Sequence, residues 1–550
     1  MKKYFLYFVI VLFTWSCGDS FLESEPMTQK SEQNYYKTPQ DAWETLVGCY
    51  QRMRGSYGDF FQSLNVSADE CFAGGGKGDD LGSQIWSDFK IYAADLERNT
   101  YTWNARNFTA IRRCTVLTEV LDGIEWGSQA HLRDRYEAEA RFLRAYFTFL
   151  LQSTFGHIPL NRTSTEKNTA QTDPHDVYRF IVEDLLYAIN HLPNQKFGEV
   201  PDEFGRATKW AAMAYLGRVY LFYSGYYADP RVAAHFGGVQ DIGVSKAEVL
   251  NYLETLISDS GHALVPRFGS LWHFSKREDY HKDPTLTYAG EYNPEIIFCI
   301  KHSANSSYSN SHPQYFGLRG VPSPGAYNPF WVGYGMATIH PKAFEQYEPG
   351  DERRFASIID VATEYPDPFL QERLAVDQRD YTGYFQKKWQ TLTASPTDIG
   401  NSDPFGNHGA TGQAQSYQDL ILMRHADVLL MAAELGSSNA MDYVNQIRDR
   451  AFNDQTHRVS SVDIDVIYAE RSREFVCEAR RYHDLLRRGL DYAKQHLDCY
   501  LTADKIQNAI TGGDKEVIFP IESLGLFRIP ESQINISEGK LIQNPYWINN

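Results

Sequence analysis

LRDRYEAEARFLRAYFTFLLQSTFGHIPL, residues 132–160, is the stretch from which the fold is read. Ala138, Phe142, Ala145 and Phe149 recur at i, i+4, i+7 and i+11, which places them on one face of an α-helix. Leu143, Phe147, Leu150 and Leu151 widen that face, so the spacing predicts a helix buried on more than one side. Gly156 and Pro159 end it.

Helical signals extend in both directions from this segment. Thr38-Pro39 opens a helix through Trp43, Leu46, Val47 and Tyr50, with Thr38 as cap and Pro39 in the first turn. Further helices are expected over 101–126, from Asp173-Pro174 to Pro193, and over 206–223. Ala138, Ala140, Ala145, Ala211, Ala212, Ala214 and Gly217 are small enough to let helices approach closely in pairs. No strict repeat period holds them in register. Helices return over 419–435, after Ser438-Asn439, and over 463–488, with Gly489 as a stop. Residues 38–261 and 417–489 therefore read as helical. The intervening 262–416 is rich in Gly, Pro, Ser, Asn, Tyr and Trp and reads as long loops, with one strand at 295–300. The fold class is mainly α, with helix pairs as scaffold, a loop-rich region and few short strands.

The chain has 550 residues, and its 53 Lys+Arg against 70 Asp+Glu give a net charge of −17. That balance argues against a general nucleic-acid binder, which needs a basic surface for phosphates. The start, MKKYFLYFVIVLFTWSC, has a basic Lys2-Lys3 followed by twelve uncharged residues, Tyr4 to Trp15. A spanning helix needs about 20 apolar residues, so residues 1–16 read as a secretory signal. Their removal leaves 51 − 70 = −19 on residues 17–550. Cys17 follows Thr14-Trp15-Ser16 at the cleavage position, as in a bacterial lipoprotein site where the cysteine is lipidated, although an aliphatic residue is usual where Thr14 stands. A simple secretory signal with a nearby cysteine is the plainer alternative.

Catalytic signatures are missing. There is no HExxH, GxSxG or GxGxxG, and the six cysteines beyond Cys17 form no CxxC pair, so they read as isolated buried thiols. Gly74-Gly75-Gly76-Lys77-Gly78-Asp79-Asp80 lacks the spacing of a phosphate loop and reads as a mobile surface loop. It also lacks a twelve-residue calcium loop. No metal or cofactor is called for. A glycosidase would need two carboxyl groups roughly 5–10 Å apart across a substrate, and nothing in the sequence singles out such a pair.

Four segments together resemble the SusD/RagB family of Bacteroidetes nutrient-binding lipoproteins. They are EAEARFLRAYFTFLLQSTFGHIPL (137–160), DLILMRHADVLLMAAEL (419–435), ERSREFVCEARRYHDLLRRG (470–489) and the tail RIP…QNPYW (528–547). His425 and Asp427 stand where the family usually has Tyr and Glu. CGDSFLE (17–23) is similar to the family's mature start. The resemblance implies a single SusD-like domain over 17–550, with tetratricopeptide-like helix pairs and a ligand site on the loops. It also implies an outer-membrane, cell-surface location through a lipid anchor. The implied partner is a TonB-dependent outer-membrane transporter that receives captured oligosaccharide; no enzymatic activity is implied. Peptide capture and a purely structural transporter lid are the alternatives within the family. Arg144, Arg424, Glu474 and Arg480 lie in these motifs and are expected to hold helices together rather than bind ligand.

Sugars present apolar C–H faces ringed by hydroxyls, so a site for them needs exposed aromatic plates beside polar groups. Two loop regions carry such residues, 69–92 and 308–334. The candidate glycan contacts are Trp86, Trp331, Tyr334, Tyr315, Arg319 and Asp69.

Overall fold

The 132–160 stretch forms a helix over His131–Phe155, and Gly156 ends it at a positive φ of 71°. The computed structural model describes residues 36–548 except 80, 92–96, 98, 100–102, 104–106, 304–307, 321–329, 366, 377, 391, 393–415 and 508–511. Residues 1–16 and Cys17 lie outside the described residues.

The long helices are α1 (Pro39–Val66), α2 (Asn107–Val120), α3 (His131–Phe155), α4 (Pro174–His191), α5 (Lys209–Tyr226) and α6 (Lys246–Asp259). Near the C-terminus follow α7 (His425–Glu434), α8 (Ala440–Phe452), α9 (Ile464–Glu474) and α10 (Arg481–Arg488). Local chemistry sets the starts. Thr38 and Asp41 form a capping box, with the Thr38 N–H donating to the Asp41 carboxylate at 2.9 Å and the Thr38 hydroxyl accepting from the Asp41 N–H at 3.3 Å. Asp173 and Thr208 cap α4 and α5 by accepting backbone N–H groups. Asn439 does not cap α8 through its side chain, which instead donates to the Tyr443 hydroxyl.

From α1 to α6 each helix packs on the next, and α10 closes back onto α5 and α1. The core between them is aromatic: Phe142, Tyr146 and Phe149 of α3 meet Tyr215 of α5. Arg144 ties α3 to α4 through Asp184, Nε to Oδ2 at 2.7 Å, with both residues buried.

Two helical expectations break at informative places. Residues 419–435 are not one helix. Leu420–Arg424 is a strand, β6, fully buried and antiparallel to β2 (Ile296–Ile300), with Ile300 opposite Leu420. Five buried residues in a row suit a strand covered on both faces as well as they suit a helix. The 463–488 segment divides into α9 and α10, with Cys477 and Ala479 at positive φ between them. That turn aims backbone and carboxylates at a buried charge cluster. There the Arg424 guanidinium meets Glu295 and Glu478 at 2.9 Å, and also Glu474. Arg353 reaches Glu474 at 3.1 Å and also Asp351, while Arg450 reaches Glu295 and Glu474. Arg480 donates to the Leu422 carbonyl.

The 262–416 region contains more regular structure than the loop reading expects. A four-stranded sheet runs β1 (Cys71–Phe72), β3 (Thr338–Ile339), β5 (Tyr384–Gln386), β4 (Ile358–Asp360), in that spatial order. Trp272 and Trp389 are fully buried and meet edge to face at 5.2 Å.

Candidate functional site

Two segments of the loop-rich region pair with each other. The short helix His312–Phe316 and residues 317–318 run beside 333–336. The N–H groups of Gly333, Tyr334, Gly335 and Met336 donate to the carbonyls of Leu318, Gln314, Gly317 and Tyr315 at 2.7–2.9 Å. The two backbones cross at Gly317 and Gly333, where a Cβ on Gly333 would lie 2.5 Å from the Gly317 Cα. Only glycine permits that approach. Substituting Gly333→Ala is expected to force the segments apart, lower stability by about 1–3 kcal/mol and weaken any ligand held by the flanking tyrosines. Thermal unfolding together with binding titration checks both effects.

This crossing sets Tyr315 and Tyr334 side by side. Their rings are 41% and 39% exposed and meet edge to face, with centroids 5.8 Å apart. The Gln314 side-chain amide donates to the Tyr334 hydroxyl at 2.7 Å and fixes that ring. Trp331 is half-buried two residues before the crossing. Arg319 pairs with Asp79, Nη1 to Oδ2 at 3.1 Å, and its guanidinium lies over Gly76. Tyr308, on the same N-terminal approach to the 312–316 helix, is 53% exposed, and the Arg54 guanidinium lies 5.6 Å from its ring centroid. Thus four of the six candidates, Tyr315, Arg319, Trp331 and Tyr334, lie on the paired segments or the turns beside them.

The glycine-rich loop is their support rather than a mobile surface loop. Gly74, Gly75 and Gly76 are buried. The Gly75 N–H donates to the Gly335 carbonyl, the Arg379 N–H donates back to the Gly75 carbonyl, and the Gln378 amide donates to both Gly75 and Gly335. Gln378, Gly76 and Gln314 support these segments in ways that the sequence reading misses, because their partners lie tens to hundreds of positions away.

Trp86 and Asp69 are corrected. Trp86 is 5% exposed, stacks on Phe527 and donates its indole N–H to Asn99 at 2.7 Å. Its polar edge is satisfied internally and its faces are covered, so it is a core residue. Asp69 is 8% exposed and paired with Arg481 at 2.8 Å, Lys342 at 3.2 Å and His496 at 3.4 Å. Burial pushes the Asp69 carboxyl upward, but Arg481, His496 and Lys342 outweigh it and hold it well below the usual carboxylate range. It anchors α10 rather than facing a ligand.

The adjacent Glu70 behaves in the opposite way. Burial, and then repulsion from Asp69, push it up to about 8, although the Cys477 N–H donates to it at 3.1 Å. An acid raised above its unfolded value contributes stability below the unfolded pKa, and that contribution is lost as pH rises toward about 8. Glu70→Gln is therefore expected to flatten the loss of stability between about pH 5 and 8. Denaturation midpoints of both proteins across that range are the check; parallel curves would refute it.

No group of three or more His, Cys, Asp or Glu among the described residues is placed to hold a metal ion. No helix among them is long and apolar enough to cross a membrane.

Comparison with known proteins agrees with this architecture. The family model described as "SusD family" matches residues 294–547. A second, "Starch-binding associating with outer membrane", matches residues 77–221. A SusD-like protein of Bacteroides ovatus is 24% identical over 495 residues, covering 86% of this chain and 79% of that protein. SusD-like protein P25 of Formosa agariphila is 23% identical over 538 residues, covering 89% of this chain and 90% of that protein. Among solved structures, surface glycan-binding protein A from Bacteroides fluxus superposes with a TM-score of 0.70 at 23% identity, covering 93% of this chain and 100% of that one. Surface glycan-binding protein A from Bacteroides thetaiotaomicron in complex with laminarihexaose superposes with a TM-score of 0.70 at 20% identity and the same coverage. Two matching family models, relatives aligned along most of the chain and the shared helical fold together support the SusD/RagB family.

Proposed function

We propose that this protein binds glycan at the cell surface and passes it, unaltered, to a TonB-dependent outer-membrane transporter. The observation that carries the reading is the tyrosine pair. Two half-exposed rings are held at fixed geometry by a glycine crossing and a side-chain amide, beside the Arg319–Asp79 pair. Such rings offer flat apolar faces for sugar C–H groups, with hydroxyl and charged donors at their edges. Holding them rigid in advance lowers the ordering cost of capture. The family assignment, and relatives described as surface glycan-binding and laminarin-binding, support the ligand class. In this reading residues 1–16 direct export, Cys17 carries the lipid anchor to the outer membrane, and residues 17–550 act as one unit. Individual contacts can be modest, because a transporter held next to the site raises effective concentration.

Calorimetric titration against laminarin, starch, other polysaccharides and peptides tests the proposal. Saturable binding of at least one glycan is expected. Peptide binding with no glycan binding would move the protein to a different ligand class.

A further inference from the structure

Cys71 and Cys477 are 406 positions apart in the chain, yet their sulfurs face each other at 3.7 Å in the core. Both backbones are pinned. Cys71 lies in β1, in register with Ile339 of β3. Cys477 lies in the turn between α9 and α10, at φ 61°. Its N–H donates to the Glu70 carboxyl at 3.1 Å, and its carbonyl accepts the Trp389 indole N–H at 2.9 Å. Two independently fixed segments therefore present their thiols to one another.

A disulfide needs its sulfurs about 2.0 Å apart on Cβ atoms about 3.5–4.5 Å apart. Side-chain rotation on these fixed backbones is the motion that shortens a sulfur contact of 3.7 Å. We infer that Cys71 and Cys477 are a disulfide-forming pair that straps β1 to the α9–α10 turn. Its occupancy in the cell rests on the proposed export, because disulfides persist in oxidising compartments. The pairing itself rests on the geometry alone.

The chemistry balances by exchange. The two thiols give up two protons and two electrons as the Cys71–Cys477 bond forms. An external disulfide takes them up as its own S–S bond breaks to two thiols. In the cell that oxidant is a disulfide-donating protein of the envelope; in the test it is glutathione disulfide. Both cysteines are almost fully enclosed in the folded chain. The hydrogen bond to Cys477, and then burial, push the Cys71 thiol well above its ordinary range, so little attacking thiolate is available there. The bond therefore forms while the chain folds, before the core closes. Once formed, it is shielded from reductants by the same burial.

The full chain supplies the test. It is unfolded with reductant, refolded in a glutathione/glutathione-disulfide buffer, alkylated in denaturant and mapped by mass spectrometry. The expected product is a Cys71 peptide linked to the Cys477 peptide. Cys299, whose sulfur faces Asp419 at 4.0 Å, serves as a control that stays alkylated. The oxidised sample should melt about 2–5 °C above the reduced one, and Cys477→Ser should abolish that gain. Alkylation of both Cys71 and Cys477 after oxidative refolding overturns the inference, as does pairing of either with another cysteine. The map needs no variant to fold and is independent of glycan binding, so its failure would leave the proposed function standing.

Discussion

Glu474→Ala is expected to destabilise the protein by about 3–5 kcal/mol, read as a fall in the urea midpoint of unfolding. Glu474 is fully buried, and its carboxylate serves Arg353, Arg424 and Arg450. Burial opposes its ionisation, yet Arg450, Arg424 and Arg353 outweigh burial and hold it far below the usual carboxylate range. Truncation leaves three buried guanidinium groups short of an anion, and that unpaired charge is the main cost. Charge neutralisation by Glu474→Gln should cost nearly as much, because the amide keeps the shape but not the counter-charge. Asp122→Ala is the internal contrast. Its pair with Arg133 is equally short at 2.5 Å, but the Asp122 side chain is 81% exposed. Solvent screening there reduces the expected effect to about 0–1 kcal/mol. Equal midpoints for the Glu474 and Asp122 variants would show that the buried cluster is not what holds α9, β2 and β6 together.

Buried carboxylates paired with arginines, Glu474 among them, set the acid limb of stability. Glu474, Asp427 and Asp69 all titrate below their unfolded values in the folded chain. Their contribution is present above the unfolded pKa of about 4 and is lost as pH falls through the folded values. Glu70 acts in the opposite direction, its contribution being lost as pH rises toward about 8.

The difference between what sequence reading reaches and what it misses has a physical pattern. α3 is legible because its own side-chain spacing determines which face is buried. β6 is not, because LILMR buries every residue and leaves no period to distinguish a strand from a helix. The partner that decides, IIFCI, lies about 120 positions earlier. The α9–α10 break follows from contacts with Glu70 and Arg424, again far away in sequence. At the site, aromatics in a loop rich in Gly and Pro correctly draw attention to 308–334, but composition cannot tell which rings stay outside. Trp86 has as much apolar surface as Trp331, yet Asn99 meets its N–H and Phe527 covers its face. The glycine run at 74–76 resembles a free loop because glycine has no side chain to reveal a partner. Its contacts are backbone to backbone with Gly335 and Arg379.

Tyr315→Ala and Tyr334→Ala should each lower glycan affinity by about 1–3 kcal/mol, roughly ten- to a hundred-fold in Kd. Stability should change little, because both rings are near 40% exposed and each leaves the core intact. Tyr334→Phe separates two contributions. It keeps the apolar face but removes the hydroxyl that accepts from Gln314. If the face alone binds sugar, this variant should retain most affinity. If the fixed ring angle matters, it should lose part of it, and Gln314→Ala should reproduce the loss. Because the rings meet at 5.8 Å, the two alanine effects should not add. The double variant is expected to fall short of the sum, since removing either ring unseats the other. Calorimetry on the five variants measures each term. Unchanged affinity in the double variant would remove this face from the capture mechanism.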